Sequence, residues 1–208
     1  MATNDLKNNR KKYHHGALRT ALVAAGLEIL EEQGLDGLSL RAIAARVGVS
    51  HTAPKNHFDG LKGLLTAIAT EGFRRHAEAM TAGLTDAATP EDRLRASVRG
   101  YQRFAEENPA LFQLMFSPIL CDHADPDLQA AASASYGVLR RVATGLDWPG
   151  AEGPDRQRRT ELMLWSFVHG HAMLTVTGQL PTTPDGRAAC DIAAVLPAFR
   201  YDPEATSG

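Results

Sequence analysis

Apolar residues recur at helical spacing along most of this chain, in runs separated by caps, glycines and prolines. Leu18, Leu22, Ala25 and Ile29 are spaced four, three and four apart, which predicts a helix over residues 14–33 that stops at Gly34. Leu40, Ile43, Ala44 and Val47 form the apolar face of a second, short helix over 39–46. Ser39 is suited to cap it, because its hydroxyl can accept from an unpaired amide of the first turn. Gly48 supplies a tight turn, Val49 can pack back on the preceding helix, and Ser50 is a second cap, predicting a helix over 50–57. Residues 60–82 present Leu64, Leu65, Ile68, Phe73 and Met80. Thr89 followed by Pro90, Glu91 and Asp92 is a strong start for a helix to about residue 108. Pro109 restarts a short helix that ends at Ser117-Pro118, and further helices are expected over 127–146, 155–178 and 185–196, the last stopped by Pro197. Alternating or β-branched runs are nearly absent. The expectation is an all-α fold of about nine helices with short connections.

The stretch from Leu38 to Phe58, LSLRAIAARVGVSHTAPKNHF, carries the most information. A short helix, a glycine turn and a second helix opening with polar residues is the helix-turn-helix pattern, whose second helix enters the major groove; the same spacing also suits an ordinary αα-hairpin. The surrounding residues resemble the DNA-binding domain of TetR-type transcriptional regulators. The resemblance rests on a basic arm (Lys7, Arg10, Lys11, Lys12), a first helix ending in EEQG, then LSLRAIAARVGVS, the pair His57-Phe58, and Leu64-Leu65. Farther along, FAEENPALFQLMF (104–116) and LWSFVHGHAML (164–174) resemble the C-terminal WHG domain of TetR-type proteins, with Trp165, His169 and Gly170 as the namesake residues. In all, the resemblance covers roughly residues 14–196.

This resemblance implies a transcriptional regulator, usually a repressor released by a small organic effector, that binds a palindromic operator in double-stranded DNA as a homodimer. It implies a helix-turn-helix domain (13–62) and an effector-binding and dimerisation domain (63–200); the sequence itself suggests a disordered basic arm (1–12) and a disordered tail (201–208). The candidate DNA contacts are Arg41, Ser50, His51, Thr52, Ala53, Lys55, Asn56, His57 and Lys62. Arg41 either pairs with a guanine edge, which is worth about 1–3 kcal/mol of discrimination, or is a solvated helix charge. His51 and Thr52 are the base-edge candidates, Ala53 can touch a thymine methyl, and His57 serves a phosphate, a helix cap or both. The chain departs from the family pattern twice. Lys55 stands where a tyrosine is usual, and Leu61 where a lysine is usual, with Lys62 one residue late and so turned about 100° around a helix. A sensor or interaction protein of the same fold with weak or no specific DNA binding is therefore the rival expectation.

In the C-terminal part, Phe104, Phe112, Met115, Phe116, Trp165, His169 and Met173 are the candidate lining of a cavity for a small apolar or amphipathic effector. Trp165, His169 and Met173 share a face at four-residue spacing, and His169 is either a ligand contact or a buried, hydrogen-bonded structural residue. Gly170 and Gly178 suggest close helix approach. The two final helices are the expected dimer interface, since Leu162, Phe167, Leu174, Ile192, Val195 and Leu196 supply more apolar surface than the pair can bury alone.

Charge sharpens the division. Across the 208 residues the net charge is −2, but residues 1–62 hold nine Lys/Arg against six Asp/Glu, and 63–208 hold thirteen against eighteen. No nucleotide-binding, zinc-protease or nucleophile-elbow motif occurs, so neither catalysis nor a cofactor is expected. Cys121, Asp122, His123 and Asp125 are ligand-type residues better explained by a polar loop than by a metal. Two distant cysteines and a polar N-terminus suit a cytoplasmic protein, and the most apolar run, 162–174, is too short and too polar to span a bilayer.

Overall fold

The computed structural model describes residues 2–149, 153–185 and 187–201, with side chains from Gly16 onward. Among these residues there are seven α-helices: α1 (Ala2–Gln33), α2 (Leu40–Val47), α3 (Gly60–Thr81), α4 (Pro90–Glu107), α5 (Pro109–Met115), α6 (Pro126–Ala143) and α7 (Arg156–Val176). Three 3-10 turns, at Leu35–Gly37, Ala53–Asn56 and Ile192–Ala194, and a two-residue antiparallel ladder, β1 (Leu146–Asp147) against β2 (Arg200–Tyr201), complete them. No helix among the described residues is long and apolar enough to cross a membrane.

The chain divides into two compact units. One comprises Met1–Glu71 and Leu114–Gln129, the other Gly72–Gln113 and Ala130–Gly208. Sequence alone suggested a single boundary near residue 62; instead the chain returns to the first unit after α4. In that unit, Leu22, Ile29 and Leu30 of α1, Ile43 and Ala44 of α2, and Leu64 and Ile68 of α3 form the core, and burying a side chain such as Ile43 contributes about 1.5–3 kcal/mol. The Ser39 hydroxyl accepts from the Ala42 amide at 3.1 Å. Gly48, at φ +77°, closes α2, and the Val49 amide donates to the Ala44 carbonyl at 3.0 Å. In the second unit, α4 and α7 pack along their lengths, with Leu94, Val98, Tyr101 and Ala105 facing Leu164, Val168 and Ala172 as the apolar stripes. Thr89 and Asp92 form a full capping box at the start of α4.

The structure corrects four expectations. The helix of the first run extends back to Ala2, so residues 2–12 continue α1 and do not stand apart as an arm. The helix expected at 50–57 is a single 3-10 turn. A proline at 54 has no amide to give the Ser50 carbonyl, and the bonds made are Ala53 to Ser50 and Lys55 to Thr52, both of i to i−3 type. The helix expected at 185–196 shrinks to Ile192–Ala194. The Ala188 amide donates to Glu106 at 2.9 Å, Arg99 grips Asp191 at 2.9 Å and Arg95 donates to the Ala193 carbonyl, so α4 draws this stretch out as an extended cover. Finally, Gly170 does not mark close helix approach, for a Cβ there meets nothing within 4 Å, and Gly178 ends α7 at φ +71°. The close approach is at Gly100, where a Cβ would collide with the Ala79 carbonyl of α3.

Candidate functional site

Two constellations concentrate polar side chains on rigid elements. The first is the surface of the α2 turn. Leu38 and Phe58 are buried at its two ends, and Pro54 is buried in the 3-10 turn between. The Arg19 guanidinium lies 5.1 Å from the centre of the Phe58 ring, a cation–π contact that seals this end. With those residues turned inward, His51, Thr52, Lys55 and Asn56 are exposed, and Ala53 and His57 are half-buried. Ser50 is exposed, and its hydroxyl pairs with that of Thr52 at 3.1 Å instead of capping a helix. Arg41 is exposed on the first turn of α2, and Lys62 is exposed on the first turn of α3. Leu61 beside it is half-buried.

Arg46 behaves differently from these cations. It donates to Glu28 at 3.2 Å and to Glu32 at 3.0 and 2.6 Å, tying α2 to α1. The hydrogen bond to Arg46 holds the Glu32 carboxyl below its usual range. This clamp was not foreseen, although Glu28 and Glu32 stand one turn apart on α1 and so share a face. Elsewhere in the first unit, Cys121 is buried with its thiol directed to the Leu114 carbonyl at 3.3 Å, and burial pushes it up to about 11. Asp122 and Asp125 accept from the amides of Ala124 and Leu128, which accounts for both as turn-forming residues.

The second constellation is an aromatic and imidazole cluster within the second unit. His169 of α7 receives or gives a hydrogen bond with Tyr101 of α4, Nδ1 to Oη at 2.8 Å. Ring centres link Tyr136 to Trp165 (5.6 Å), Trp165 to His169 (6.0 Å), His169 to Phe112 (5.6 Å) and Phe112 to Tyr101 (5.9 Å). At the far end, His76 of α3 packs against the rings of Tyr101 and Phe104 at 4.2 and 5.1 Å. His76 is 2% exposed; its Nδ1 lies 2.7 Å from Ser135 Oγ, and its Nε2 is buried without a hydrogen-bond partner. Leaving such a group unpaired costs about 1–3 kcal/mol. Burial and the neighbouring His169 push His76 down to about 3, and burial raises the Tyr101 phenol. A second polar chain runs beside it: His171 Nδ1 meets Gln102 at 3.0 Å, and Gln102 donates to Glu106 and Thr175.

Of the residues expected to line an effector cavity, Phe104, Phe112, Trp165 and His169 are brought together here. Met173 is half-buried on the same helix as Trp165. Met115, fully buried, and Phe116, half-buried, fall in the first unit. The sequence reading missed His76, Tyr101, Tyr136 and Ser135. Tyr101 was within reach, since it falls in the stripe Leu94, Val98, Tyr101, Ala105. His76 was also accessible, at the spacing of Phe73, His76 and Met80.

Comparison with known proteins bears on both constellations. Residues 22–68 match the family described as bacterial regulatory proteins, tetR family, and residues 94–195 match the family described as tetracyclin repressor-like, C-terminal domain. A solved structure described as a protein with unknown function from Rhodococcus sp. RHA1 is 33% identical; the match covers 88% of this chain and 92% of that one, with a TM-score of 0.68. The HTH-type transcriptional regulator Rv1816 of Mycobacterium tuberculosis is 27% identical, over 78% of this chain and 82% of its own length. The tetracycline repressor protein class D of Escherichia coli is 36% identical over 58 residues, 28% of this chain and 27% of that protein.

Proposed function

From the premise that this chain belongs to the TetR family of bacterial transcriptional regulators, we propose that it is a homodimeric repressor that binds a palindromic operator and leaves it when a small organic effector occupies the second unit. The observation that carries the DNA half of this reading is the one-sided segment at 50–58. Its apolar residues, Pro54 and Phe58, point inward, and His51, Thr52, Lys55 and Asn56 are left to face a groove. Arg41 and Ala53 extend the base-reading set, while Ser50, His57 and Lys62 flank it as phosphate contacts. The first unit acts as the reading head and the second as the sensing and pairing body, working in the cytoplasm where the DNA is. The effector lies against Phe104, Phe112, Trp165 and His169, with Met173 at the margin. Release works by linkage: the effector must bind better to a spacing of the two heads that no longer fits half-sites about 34–36 Å apart. An effector that binds both spacings equally shifts nothing.

The test is operator binding by fluorescence anisotropy, using DNA from upstream of the chain's own gene and a scrambled duplex, across a salt series. We expect Arg41→Ala to lose discrimination between the two duplexes. Lys55→Ala is expected to weaken both and to reduce the salt slope by about one. Unchanged affinity and slope in both variants would show that the groove-facing surface lies elsewhere. One observation favours the second reading, a sensor or interaction protein of the same fold: the element at 53–56 is a single 3-10 turn, a shorter probe for a groove than a helix. Equal affinity of the unaltered protein for the two duplexes would select it.

A further inference from the structure

A cavity of about 410 Å³ lies within the second unit, at the start of α4, and none of the rings of the aromatic cluster lines it. Sites for small molecules are of this size, roughly 300–1,000 Å³. One wall is made by Leu94 of α4 and Leu146 of β1, both buried. The other is the end of the chain's last stretch, where Leu196, Pro197 and Phe199 are half-buried. These apolar groups line the space without filling it, so a ligand there would displace water from apolar surface. The rim at Glu91, Ala198 and Tyr201 is exposed, which gives a way in without unfolding.

The charged side chains that line the cavity, among the described residues, are Glu91 and Arg95, and they are paired with each other. Arg95 donates from Nε and Nη2 to Glu91 Oε1 at 3.2 and 2.8 Å, and from Nη1 to the Ala193 carbonyl. A guanidinium has five N–H groups and accepts nothing, so two donors remain. Both bonds to Glu91 end on Oε1, which leaves Oε2 without a partner among the described residues. The neighbouring Asp92 carboxylate is spent on the Thr89 amide and hydroxyl. An anion set against Arg95 would crowd Glu91, and a cation set against Glu91 would crowd Arg95. A neutral polar end that accepts from one and donates to the other suits both.

We propose that this cavity is a binding site for an uncharged amphiphile, with an aryl or short alkyl body against Leu94, Leu146 and Phe199 and a carboxamide or hydroxyl end between Arg95 and Glu91. The group that grips the ligand also holds, through Ala193, the strap that α4 draws over itself. The site is distinct from the one proposed for the effector of operator release, and neither requires the other.

Phenylacetamide, phenylacetate and phenethylamine share one outline and carry no charge, a negative charge and a positive charge. Isothermal titration calorimetry on the full chain reads affinity, and methyl spectra of leucine-labelled protein read place. We expect phenylacetamide to bind about tenfold more tightly than either ion and to move the methyl resonances of Leu94, Leu146 and Leu196. Glu91→Gln leaves Arg95 without its counter-charge, so phenylacetate should then overtake the amide. Arg95→Met leaves Glu91 alone, so phenethylamine should overtake it; Glu91→Gln decides if the loss of Arg95 unfolds the strap. A merely structural loss would weaken all three probes alike. Equal affinity for the three, an ion as the tightest binder of the unaltered protein, or a preference that Glu91→Gln does not turn, overturns the polar assignment. Binding of none of them, or shifts confined to other leucines, overturns the site. Neither result bears on the operator reading, which the anisotropy series tests by itself.

Discussion

His76 illustrates how one buried side chain couples stability to pH. Its ring is neutral in the fold because burial and His169 push it down to about 3, whereas an exposed histidine titrates near 6.5. Between those values the unfolded chain binds a proton that the fold refuses, so stability is complete above about pH 6.5 and falls as the pH drops toward 3. The expected loss approaches 1.4 kcal/mol per pH unit across that window. Urea midpoints at about pH 7 and pH 4.5 should reveal it, and His76→Phe should flatten the slope in part. His169 and His171, both lowered by burial, act in the same direction. A slope unchanged by His76→Phe would show that the ring is protonated without penalty. At this scale the sequence was informative wherever a residue's role is local. Ser39, Gly48 and the Thr89-Asp92 box do what their types and spacing imply. His76 was less legible, because its importance comes from Ser135, 59 residues away in sequence.

Elements were legible where periodicity was long and stops were unambiguous. The helices α3, α4 and α5 begin at the residues that Gly60, Thr89-Pro90 and Pro109 mark. The turn at 53–56 was not, although its cause is in the sequence: Pro54 removes the one amide that would have bonded Ser50 in an α-helix. The stretch 185–196 misled for the opposite reason. Its composition is helical, but Glu106, Arg99 and Arg95 of α4 take its polar groups individually. Between α3 and α4 the contact is set by Gly100, against the backbone of Ala79 and Met80. A methyl group there has a carbonyl to displace, not a flexible side chain. We expect Gly100→Ala to cost about 1–3 kcal/mol in chemical denaturation, as overpacking does. A cost near zero would mean that the two helices slide apart freely.

For the molecule as a whole, charge and linker composition suggested one boundary near residue 62, whereas the first unit takes back Leu114–Gln129. A return of this kind leaves no compositional trace, since its residues are chosen by partners far away in sequence. Asp122, for example, donates its amide to the Thr66 hydroxyl at 2.9 Å. Assembly is the remaining property at this scale. The inner stripe of α7 is Thr160, Leu164, Val168, Ala172 and Thr175, all buried; on its other side Leu162 and Leu174 are 54% and 40% exposed, with Trp165 at 36%. Large apolar side chains left exposed on a long helix are what a second copy would cover. We therefore expect a dimer by light scattering at micromolar concentration. Leu162→Glu should shift it toward monomer and weaken operator binding, since a palindrome is read by two heads. A monomeric unaltered protein would refute the dimer.

The cover that α4 draws over itself has a consequence in time. Arg95, Arg99 and Glu106 meet groups 98, 92 and 82 residues farther along the chain. At about 5–20 residues per second, a ribosome needs roughly 4–20 s to make that interval. Throughout it, Arg95 and Glu106 have only their partners on α4, Glu91 and Gln102. The strap therefore closes on α4 only well after α4 itself has been made.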